Sequence, residues 1–308
     1  MEKFLHTWSG ECSAWDCDDL GHMNMRHYMT KAHEARQMFI IGLGLPHAFT
    51  TNANSSVSVS DFHIQYQGEA RPGDPLRIKT GLLELGEDTA RLCHIMFHAD
   101  GRIAASIIET VTHIALRTGQ SFPWPKRVRD KATNVLTQLP SAAKPRNLGN
   151  DDSPPAADMV TLEGWGLRPI GKGVFQSREM GLDNRPTPQA LLGRATETIG
   201  HFHEGWPEFL DEDYRKAGNS GALLEIKVCM NSPAHTGTPY AFYSGLQSVN
   251  AHTRRIIHNM VNPVTGANIA SMIAVSCLFS LTTRRLIKPS PAQLAQLEKA
   301  VVKGLTPE

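Results

Sequence analysis

The strongest constraint on the fold is that this chain of 308 residues repeats itself. The stretch from Gly73 to Leu82 recurs from Gly237 to Leu246, 164 positions later. Four more identities are kept at the same shift: Thr89, Arg91, His94 and Met96 match Thr253, Arg255, His258 and Met260. Self-similarity at a fixed shift marks a duplicated structural unit. The sequence therefore predicts a tandem duplication in which both copies share one fold.

Each copy has the same order of predicted elements, a helix followed by strands. Apolar residues spaced by three and four predict a first helix over residues 25–41. Thr187 as N-cap and Pro188 at the first helical position predict the start of a second helix, over 188–203. Alternating or β-branched runs predict four strands after each helix. These lie near 62–66, 76–78, 90–98 and 103–116, and near 223–230, 239–248, 253–262 and 268–282. Because strands and helices do not alternate, we expect an α+β fold.

A proline-rich polar segment separates the two copies. We expect domain 1 over residues 1–125, a linker with a short helix near 126–138 over residues 126–159, and domain 2 over residues 160–308. A further helix from Ala292 matches the short helix of the linker.

The composition excludes several classes of protein. Lys and Arg total 31 against 30 Asp and Glu, and this balance lacks the basic footprint of a nucleic-acid-binding protein. The five cysteines are odd in number and form no CxxC pair, which favours a reducing compartment over a disulfide framework or structural zinc. The sequence has neither a signal peptide nor an apolar run of about 18 residues. The histidines form no HExxH pattern, so we expect no metal, no membrane association and a cytoplasmic protein.

The segment before the first helix carries the most informative motif. Asp16 and Asp18 precede Gly21-His22-Met23-Asn24, and the helix then contains Tyr28 and Glu34-Ala35-Arg36. With Arg71-Pro72-Gly73-Asp74, these residues resemble the 4-hydroxybenzoyl-CoA thioesterase-like branch of the hotdog superfamily. The resemblance implies two tandem hotdog domains, each a long helix wrapped by an antiparallel sheet. It also implies that the two form an internal pseudo-dimer, and that such pseudo-dimers assemble into homo-oligomers.

The resemblance implies hydrolysis of an acyl-CoA thioester, with coenzyme A as part of the substrate and no separate cofactor. Thioester hydrolysis needs a carboxylate as nucleophile or general base, and donors for the developing oxyanion. Free N–H groups at the start of a helix are suitable donors. Asp18 matches the catalytic carboxylate of the family, in either of these two roles. Asn24 and the N–H near Met25 would polarise the thioester carbonyl.

Further residues are weaker candidates for the same site. His22 is expected to shape the turn or to contact the substrate, and Glu34 either takes part in catalysis or anchors a loop. Tyr28 and Arg71 are candidates for substrate binding, the latter through the phosphates of coenzyme A. The alternative is structural, because Asp, Gly and Asn before a helix are also ordinary turn and capping residues.

The second copy departs from the motif where the chemistry is expected. Its turn reads Met180-Gly181-Leu182-Asp183-Asn184-Arg185-Pro186-Thr187 and lacks the Gly-His-x-Asn element. Asp183 and Arg185 are retained as candidates for substrate binding. We expect one competent site per chain, at the seam of the two domains. Residues kept in both copies, such as His94 and His258, are expected to serve the fold.

Two other functions compete with hydrolysis. A hotdog hydratase or dehydratase also acts on acyl thioesters, but the related motif places its Asp and His within the helix region. A non-catalytic acyl-CoA-binding protein would use the same carboxylates structurally, and the degenerate second turn is compatible with it.

Overall fold

A computed structural model describes residues 3–149 and 152–305 of the chain. The chain divides into two compact units. The first contains the described residues up to Arg146 together with Met180–Ala190, and the second contains Asn147–Glu179 together with the described residues from Leu191 onward. The division differs from the predicted boundaries, because residues 126–146 and 180–190 belong to the first unit.

The first unit is a five-stranded antiparallel sheet with one long helix against it. Its elements are β1 (Leu5–Glu11), α1 (Met25–Leu43), β2 (Ser55–Tyr66), β3 (Pro75–Leu85), β4 (Thr89–His98), β5 (Ile103–Ala115) and α2 (Lys126–Val135). The strand order is β1-β3-β4-β5-β2. This is the α+β hotdog arrangement that the sequence predicts.

The second unit repeats this arrangement. Its elements are α3 (Met159–Gly164), β6 (Pro169–Val174), α4 (Pro188–Thr198), α5 (Glu212–Lys216), β7 (Asn219–Met230), β8 (Pro239–Val249), β9 (Arg254–Val261), β10 (Asn268–Ser280), β11 (Arg285–Ile287) and α6 (Pro291–Ala300). The strand order is β7-β10-β9-β8-β6, with β11 also paired to β10. Helix α4 begins in the segment that belongs to the first unit and continues into the second. The tandem duplication is thus confirmed as two copies of one fold.

Helix α1 forms where the sequence predicts it because its capping and its apolar face agree. Asn24 caps the N-terminus, and Gly44 ends the helix in the left-handed conformation with φ of 115°. One face of the helix is buried against the sheet, including Met29, Ala32 and Phe39. The long helix therefore fixes the position of the turn that precedes it.

The predicted linker is only partly a linker. Helix α2 buries Val128 and Ala132, and Leu136 pairs with Leu82 at the end of β3. Trp124, which is 1% exposed, anchors the entry to this segment. Burial of these apolar groups explains why residues 126–146 pack with the first unit.

Both units keep a buried histidine paired to a hydroxyl group. Thr80 and the Nδ1 of His94 are 2.7 Å apart, and Ser244 and the Nδ1 of His258 are 2.6 Å apart. Burial lowers the pKa of His258 to about 4. The predicted role of His94 and His258 in the fold agrees with this burial.

The first unit extends its histidine pair into a charged network. The Nε2 of His94 lies 2.9 Å from Glu109, which also accepts a 2.7 Å hydrogen bond from Arg36 on α1. Burial alone would raise the pKa of Glu109, but the charges of Arg36 and then His94 outweigh it and lower the pKa to about 2. This network fastens α1 to the centre of the sheet.

None of the helices in the described part of the chain is long and apolar enough to cross a membrane.

Candidate active site

The turn before α1 is a short, well-connected loop. A 3-10 helix over Ala14–Asp16 leads into it, and Cys17 pairs with Met23 across it. Inside the loop, the N–H of Asp18 donates to His22 at 3.1 Å and the N–H of Gly21 donates back to Asp18 at 3.0 Å. Gly21 has φ of 76°, a conformation that glycine adopts without strain. The motif glycine is therefore required by the backbone path.

Asp16 anchors this turn to the helix. Its carboxylate lies 2.7 Å from the Nζ of Lys31 and 3.3 Å from His27, and it accepts a hydrogen bond from the N–H of Ser13 at 3.2 Å. Burial raises the pKa of Asp16, but the hydrogen bond and charge of Lys31 outweigh burial and lower it. Since its oxygens are already engaged in a buried ion pair, Asp16 positions the turn and Asp18 is left for chemistry.

The carboxylate of Asp18 is partly exposed and faces the start of α1. One oxygen accepts a hydrogen bond from the N–H of Leu20 at 3.1 Å, and the other accepts one from the Nδ2 of Asn24 at 3.3 Å. A carboxylate has about four acceptor positions, so these two bonds orient the group without saturating it. The predicted catalytic carboxylate thus lies beside the helix N-terminus.

Asn24 connects the carboxylate to the helix. Its Oδ1 accepts a 3.2 Å hydrogen bond from the N–H of Arg26, and its Nδ2 donates to Asp18. The side chain was expected to polarise the thioester carbonyl, but in this geometry it caps α1 and orients Asp18. An amide nitrogen carries two N–H donors, so the second N–H of Nδ2 is still available for a carbonyl oxygen.

The N–H of Met25 is the backbone donor that best fits the predicted oxyanion site. The N–H groups in the first turn of a helix have no acceptor inside the helix. The N–H of Arg26 is taken by the Asn24 side chain, and that of His27 donates to the Asn24 carbonyl at 2.9 Å. Met25 begins the helix and directly follows Asn24, whose side chain donates to the Asp18 carboxylate.

Tyr28 holds the loop that contains Gly68 and Ala70. Its hydroxyl donates to the carbonyl of Gly68 and accepts from the N–H of Ala70, both at 3.3 Å. The ring is 3% exposed and meets Tyr66 edge-to-face at 5.2 Å. Burial raises the pKa of Tyr28 above its usual value. Both hydroxyl contacts go to main chain, which favours a structural role, and the binding of substrate by Tyr28 stays a prediction.

Arg71 lies on the loop that Tyr28 holds, next to the turn that contains Asp18. The carbonyl of Ala70 accepts a 2.7 Å hydrogen bond from the N–H of Met23, which ties the loop to the turn. The Arg71 guanidinium is exposed and lies 3.8 Å from Glu69. An exposed cation near the turn is suitably placed for an anionic group of a ligand.

Glu34 is remote from the turn. It follows Asn24 by ten residues on α1, which corresponds to about 15 Å along the helix axis. Its carboxylate accepts a hydrogen bond from the Nε1 of Trp8 at 3.0 Å. The structure therefore places Glu34 as an anchor for β1 and not beside Asp18.

His22, in contrast, stays in the turn, and its buried Nδ1 has no hydrogen-bond partner among the described residues.

The second copy forms the same turn with different chemistry. The N–H of Gly181 donates to Arg185 at 2.8 Å, and that of Asn184 donates to Gly181 at 3.0 Å. Glu179 is held by Arg194 at 2.8 Å, as Asp16 is held by Lys31. Matching the two hydrogen-bond patterns places Gly181 where Asp18 stands, Thr187 where Asn24 stands and Pro188 where Met25 stands. The second turn therefore has no carboxylate and no first N–H at these positions.

Asp183 and Arg185 do not join the Asp18 turn. The carboxylate of Asp183 accepts a 2.5 Å hydrogen bond from Ser58 of β2 and a 3.3 Å bond from the N–H of Arg185. Tyr66, whose hydroxyl contacts Met25, lies eight residues further along β2, or about 26 Å away. The first unit therefore contains two separate turns at distant points of one strand, and only the first has the predicted catalytic groups.

The anchoring pair of Asp16 and Lys31 was not found from the sequence. A signal for it existed, because an acid and a base recur at the same spacing of 15 residues in Glu179 and Arg194. Within residues 3–149 and 152–305, no group of three or more His, Cys, Asp or Glu side chains is arranged to hold a metal ion. The expectation of a metal-free protein stays a prediction.

Comparison with known proteins agrees with the geometry of the first unit. Residues 12–132 match the model of the family described as Thioesterase-like superfamily. These residues form a thioesterase-like superfamily domain. The match contains the whole turn before α1, helix α1 and strands β2 to β5. The specific branch predicted from the motif, 4-hydroxybenzoyl-CoA thioesterase-like, stays a prediction.

Solved structures share the fold over most of the chain, in both units. A putative oleoyl thioesterase from Lactobacillus plantarum aligns with a TM-score of 0.65 and 11% identity, over 88% of this chain and 94% of that one. The 12:0-ACP thioesterase from Umbellularia californica gives 0.63 and 9%, over 89% and 94%. An acyl-ACP thioesterase from Bacteroides thetaiotaomicron gives 0.62 and 10%, over 89% and 98%. At these identities the likeness concerns the fold alone. A comparison with curated proteins finds no match.

Proposed function

We propose that this protein hydrolyses an acyl-CoA thioester to a free acid and coenzyme A, with Asp18 as nucleophile or general base. The observation that carries the proposal is the Asp18 carboxylate, oriented by Asn24 at the first turn of a buried helix. A reactive carboxylate and oxyanion donors within one turn are the two parts that thioester hydrolysis needs.

In the general-base route, Asp18 removes a proton from a water molecule as the water attacks the carbonyl carbon. The oxygen of the tetrahedral intermediate accepts a hydrogen bond from the N–H of Met25, aided by the positive end of the α1 dipole. The C–S bond then breaks, and the proton held by Asp18 neutralises the coenzyme A thiolate.

In the nucleophilic route, a carboxylate oxygen of Asp18 attacks the same carbon and expels the thiolate. A mixed anhydride of Asp18 and the acyl group forms, and water hydrolyses it to regenerate the carboxylate. Both routes use the Asp18 carboxylate and the N–H of Met25. Incorporation of ¹⁸O from labelled water into Asp18 after a single turnover would identify the nucleophilic route.

Arg71 and His22 are the proposed binding residues beside this centre. The exposed guanidinium of Arg71 suits a phosphate of coenzyme A, and the unpartnered ring nitrogen of His22 suits a polar group of the substrate. Asp183 and Arg185 are not included, because they lie at the other turn of the first unit.

The decisive test is thiol release from a panel of acyl-CoA and acyl-ACP thioesters. We expect the native protein to release coenzyme A, and Asp18→Asn to lower kcat by about a thousandfold with unchanged circular dichroism. The matched control is Asp183→Asn, which removes a carboxylate from the second turn and retains turnover.

Other outcomes would point to the competing functions. Consumption of an enoyl thioester without thiol release would indicate a hydratase, and saturable binding without turnover would indicate a binding protein. Activity on acyl-ACP thioesters but not on acyl-CoA thioesters would show that the substrate is an acyl-ACP and not an acyl-CoA. Loss of activity in Asp183→Asn with full activity in Asp18→Asn would overturn the assignment of the site.

A further inference from the structure

Two cysteine thiols lie against each other beside the catalytic turn. The Sγ atoms of Cys12 and Cys17 are 3.5 Å apart, on either side of the 3-10 helix Ala14–Asp16. Cys17 directly precedes Asp18 in the chain. Cys12 is fully buried and Cys17 is partly exposed. All five cysteines of the chain are thiols in the structure.

The nearest hydrogen-bonding partner of each sulfur is the sulfur of the other cysteine. The nearest other acceptors are the carbonyl of Ser13, 3.6 Å from Cys17, and that of Ala70, 3.8 Å from Cys12. These are long contacts to weak donors. Burial, and then the neighbouring sulfur of Cys17, hold the pKa of Cys12 above its usual value. An oxidant from solvent therefore reaches Cys17 first, because Cys17 is the more exposed of the two thiols.

The pair is present only in the copy that has the catalytic turn. When the two turns are matched by their hydrogen bonds, Phe175 stands in the place of Cys12 and Met180 in the place of Cys17. The second copy builds the same turn without thiols, so the fold does not require them. Like Asp18 and Asn24, the thiols distinguish the chemically equipped turn from its duplicate.

We propose that Cys12 and Cys17 form a reversible disulfide that switches off the site at Asp18. The switch rests on the proposed hydrolysis, since it regulates that same carboxylate. The oxidant is a peroxide and the restoring agent is a dithiol, which are the two reactant classes that the cycle needs.

The steps balance. The Cys17 thiol reacts with hydrogen peroxide to give a sulfenic acid and one water molecule. The Cys12 thiol then attacks that sulfur, its proton joins the departing hydroxyl, and a disulfide and a second water molecule form. A dithiol returns both thiols and is itself oxidised to a disulfide.

Formation of the bond displaces the catalytic turn. The sulfurs must approach from 3.5 Å to about 2.05 Å, and because Cys12 is fully buried, the side that moves is Cys17 with the chain next to it. Cys17 pairs with Met23 across the turn, and the N–H of Asp18 is bonded to His22, so this movement is passed to both sides of the loop. A shift of about 1 Å in a catalytic group lowers turnover by about a hundredfold.

The test combines mass, exchange and activity on the full chain. After hydrogen peroxide, we expect the peptide containing Cys12 and Cys17 to be lighter by two hydrogens, and deuterium uptake to change over residues 17–24. Thioester turnover should fall by about a hundredfold and return with dithiothreitol. Cys17→Ala and Cys12→Ala should each abolish the cross-link and the reversible loss, and either variant suffices if the other fails to fold. The control is Cys229→Ala, in the second unit, which should respond like the native chain.

Two results would overturn the switch: a cross-link that forms with unchanged turnover and unchanged exchange over residues 17–24, or peroxide that only adds oxygen to Cys17. Failure of the proposed function is recognised separately, because the reduced protein would then hydrolyse no thioester. In that case the mass and exchange measurements still decide whether the disulfide forms and moves the turn.

Discussion

The turns at residues 13–25 and 176–188 follow the same backbone path with different side chains. Each has a 3-10 helix, an acid held by a base of the following helix, and the same pair of closing hydrogen bonds. Only the first turn has both a carboxylate and the N–H of the first helical residue at the matched positions. In the second turn, Gly181 stands where Asp18 stands, and Pro188, which has no N–H, stands where Met25 stands. The comparison teaches that the turn is a shared element of the fold, and that the proposed catalytic groups are present in the first copy only. Four experiments test the differences between the two copies.

Asn24→Ala is expected to have the largest effect. It removes the hydrogen bond to Asp18 and the cap on Arg26. Turnover should fall by about 10²- to 10³-fold, and the free energy of unfolding by about 1 kcal/mol. Thiol release and urea denaturation measure the two effects. Thr187→Ala, at the same place in the second turn, should leave turnover intact, and an equal loss in both variants would remove the distinction between the turns.

Lys31→Met and Arg194→Met test the shared anchor. Each removes the base from a largely buried ion pair, so the free energy of unfolding should fall by about 3 kcal/mol in both variants. Turnover should fall only in Lys31→Met, since that pair fixes the turn containing Asp18. Urea denaturation and thiol release, at a temperature where both variants are folded, provide the comparison. Full activity of Lys31→Met would show that Asp16 does not position the site.

The buried His258 of the second unit should make the stability of the fold sensitive to acid. The pKa of His258 is lowered from 6.5 to about 4, so the unfolded chain binds its proton first as the pH falls. The stabilisation is complete above pH 6.5 and is lost toward pH 4, by about 1–3 kcal/mol. In His258→Gln, the free energy of unfolding should no longer include this decrease between pH 6.5 and pH 4. Urea denaturation at several pH values in this range measures the difference from the native chain. An unchanged pH dependence would contradict the contribution of His258.

Gly181→Asp should have the smallest effect. In an Asp18→Asn background it restores a carboxylate to the second turn, but Pro188 still has no N–H for an oxyanion. Thiol release should stay at the level of Asp18→Asn. Recovery of turnover would show that the helix N–H is dispensable.

The sequence predicted the parts of the fold that have their own apolar pattern. Helix α1 and the four strands after it were expected from spacing and alternation, and they form as predicted. Strands β1 and β6 were missed, because both are edge strands without an apolar alternation, β1 mostly exposed and β6 mostly half-buried. Each depends on pairing with a strand far along the chain, β1 with β3 and β6 with β8.

The candidate site was predictable in its position but not in the roles of its residues. A motif places Asp18, His22 and Asn24 in one turn, since they are close in sequence. It does not reveal that the Tyr28 hydroxyl points to Gly68, or that Glu34 meets Trp8 on β1. Those contacts depend on tertiary packing between segments that are distant in the chain.

The discontinuity of the first unit matters for anyone who expresses the lobes separately. A gene fragment that stops at Arg146 omits Met180–Ala190, and with it the Asp183 carboxylate that accepts the hydrogen bond of Ser58. The boundary between the two repeats in the sequence therefore differs from the boundary between the two compact units. Expression of the first unit alone requires Met180–Ala190 to be fused to the fragment or added as a separate peptide.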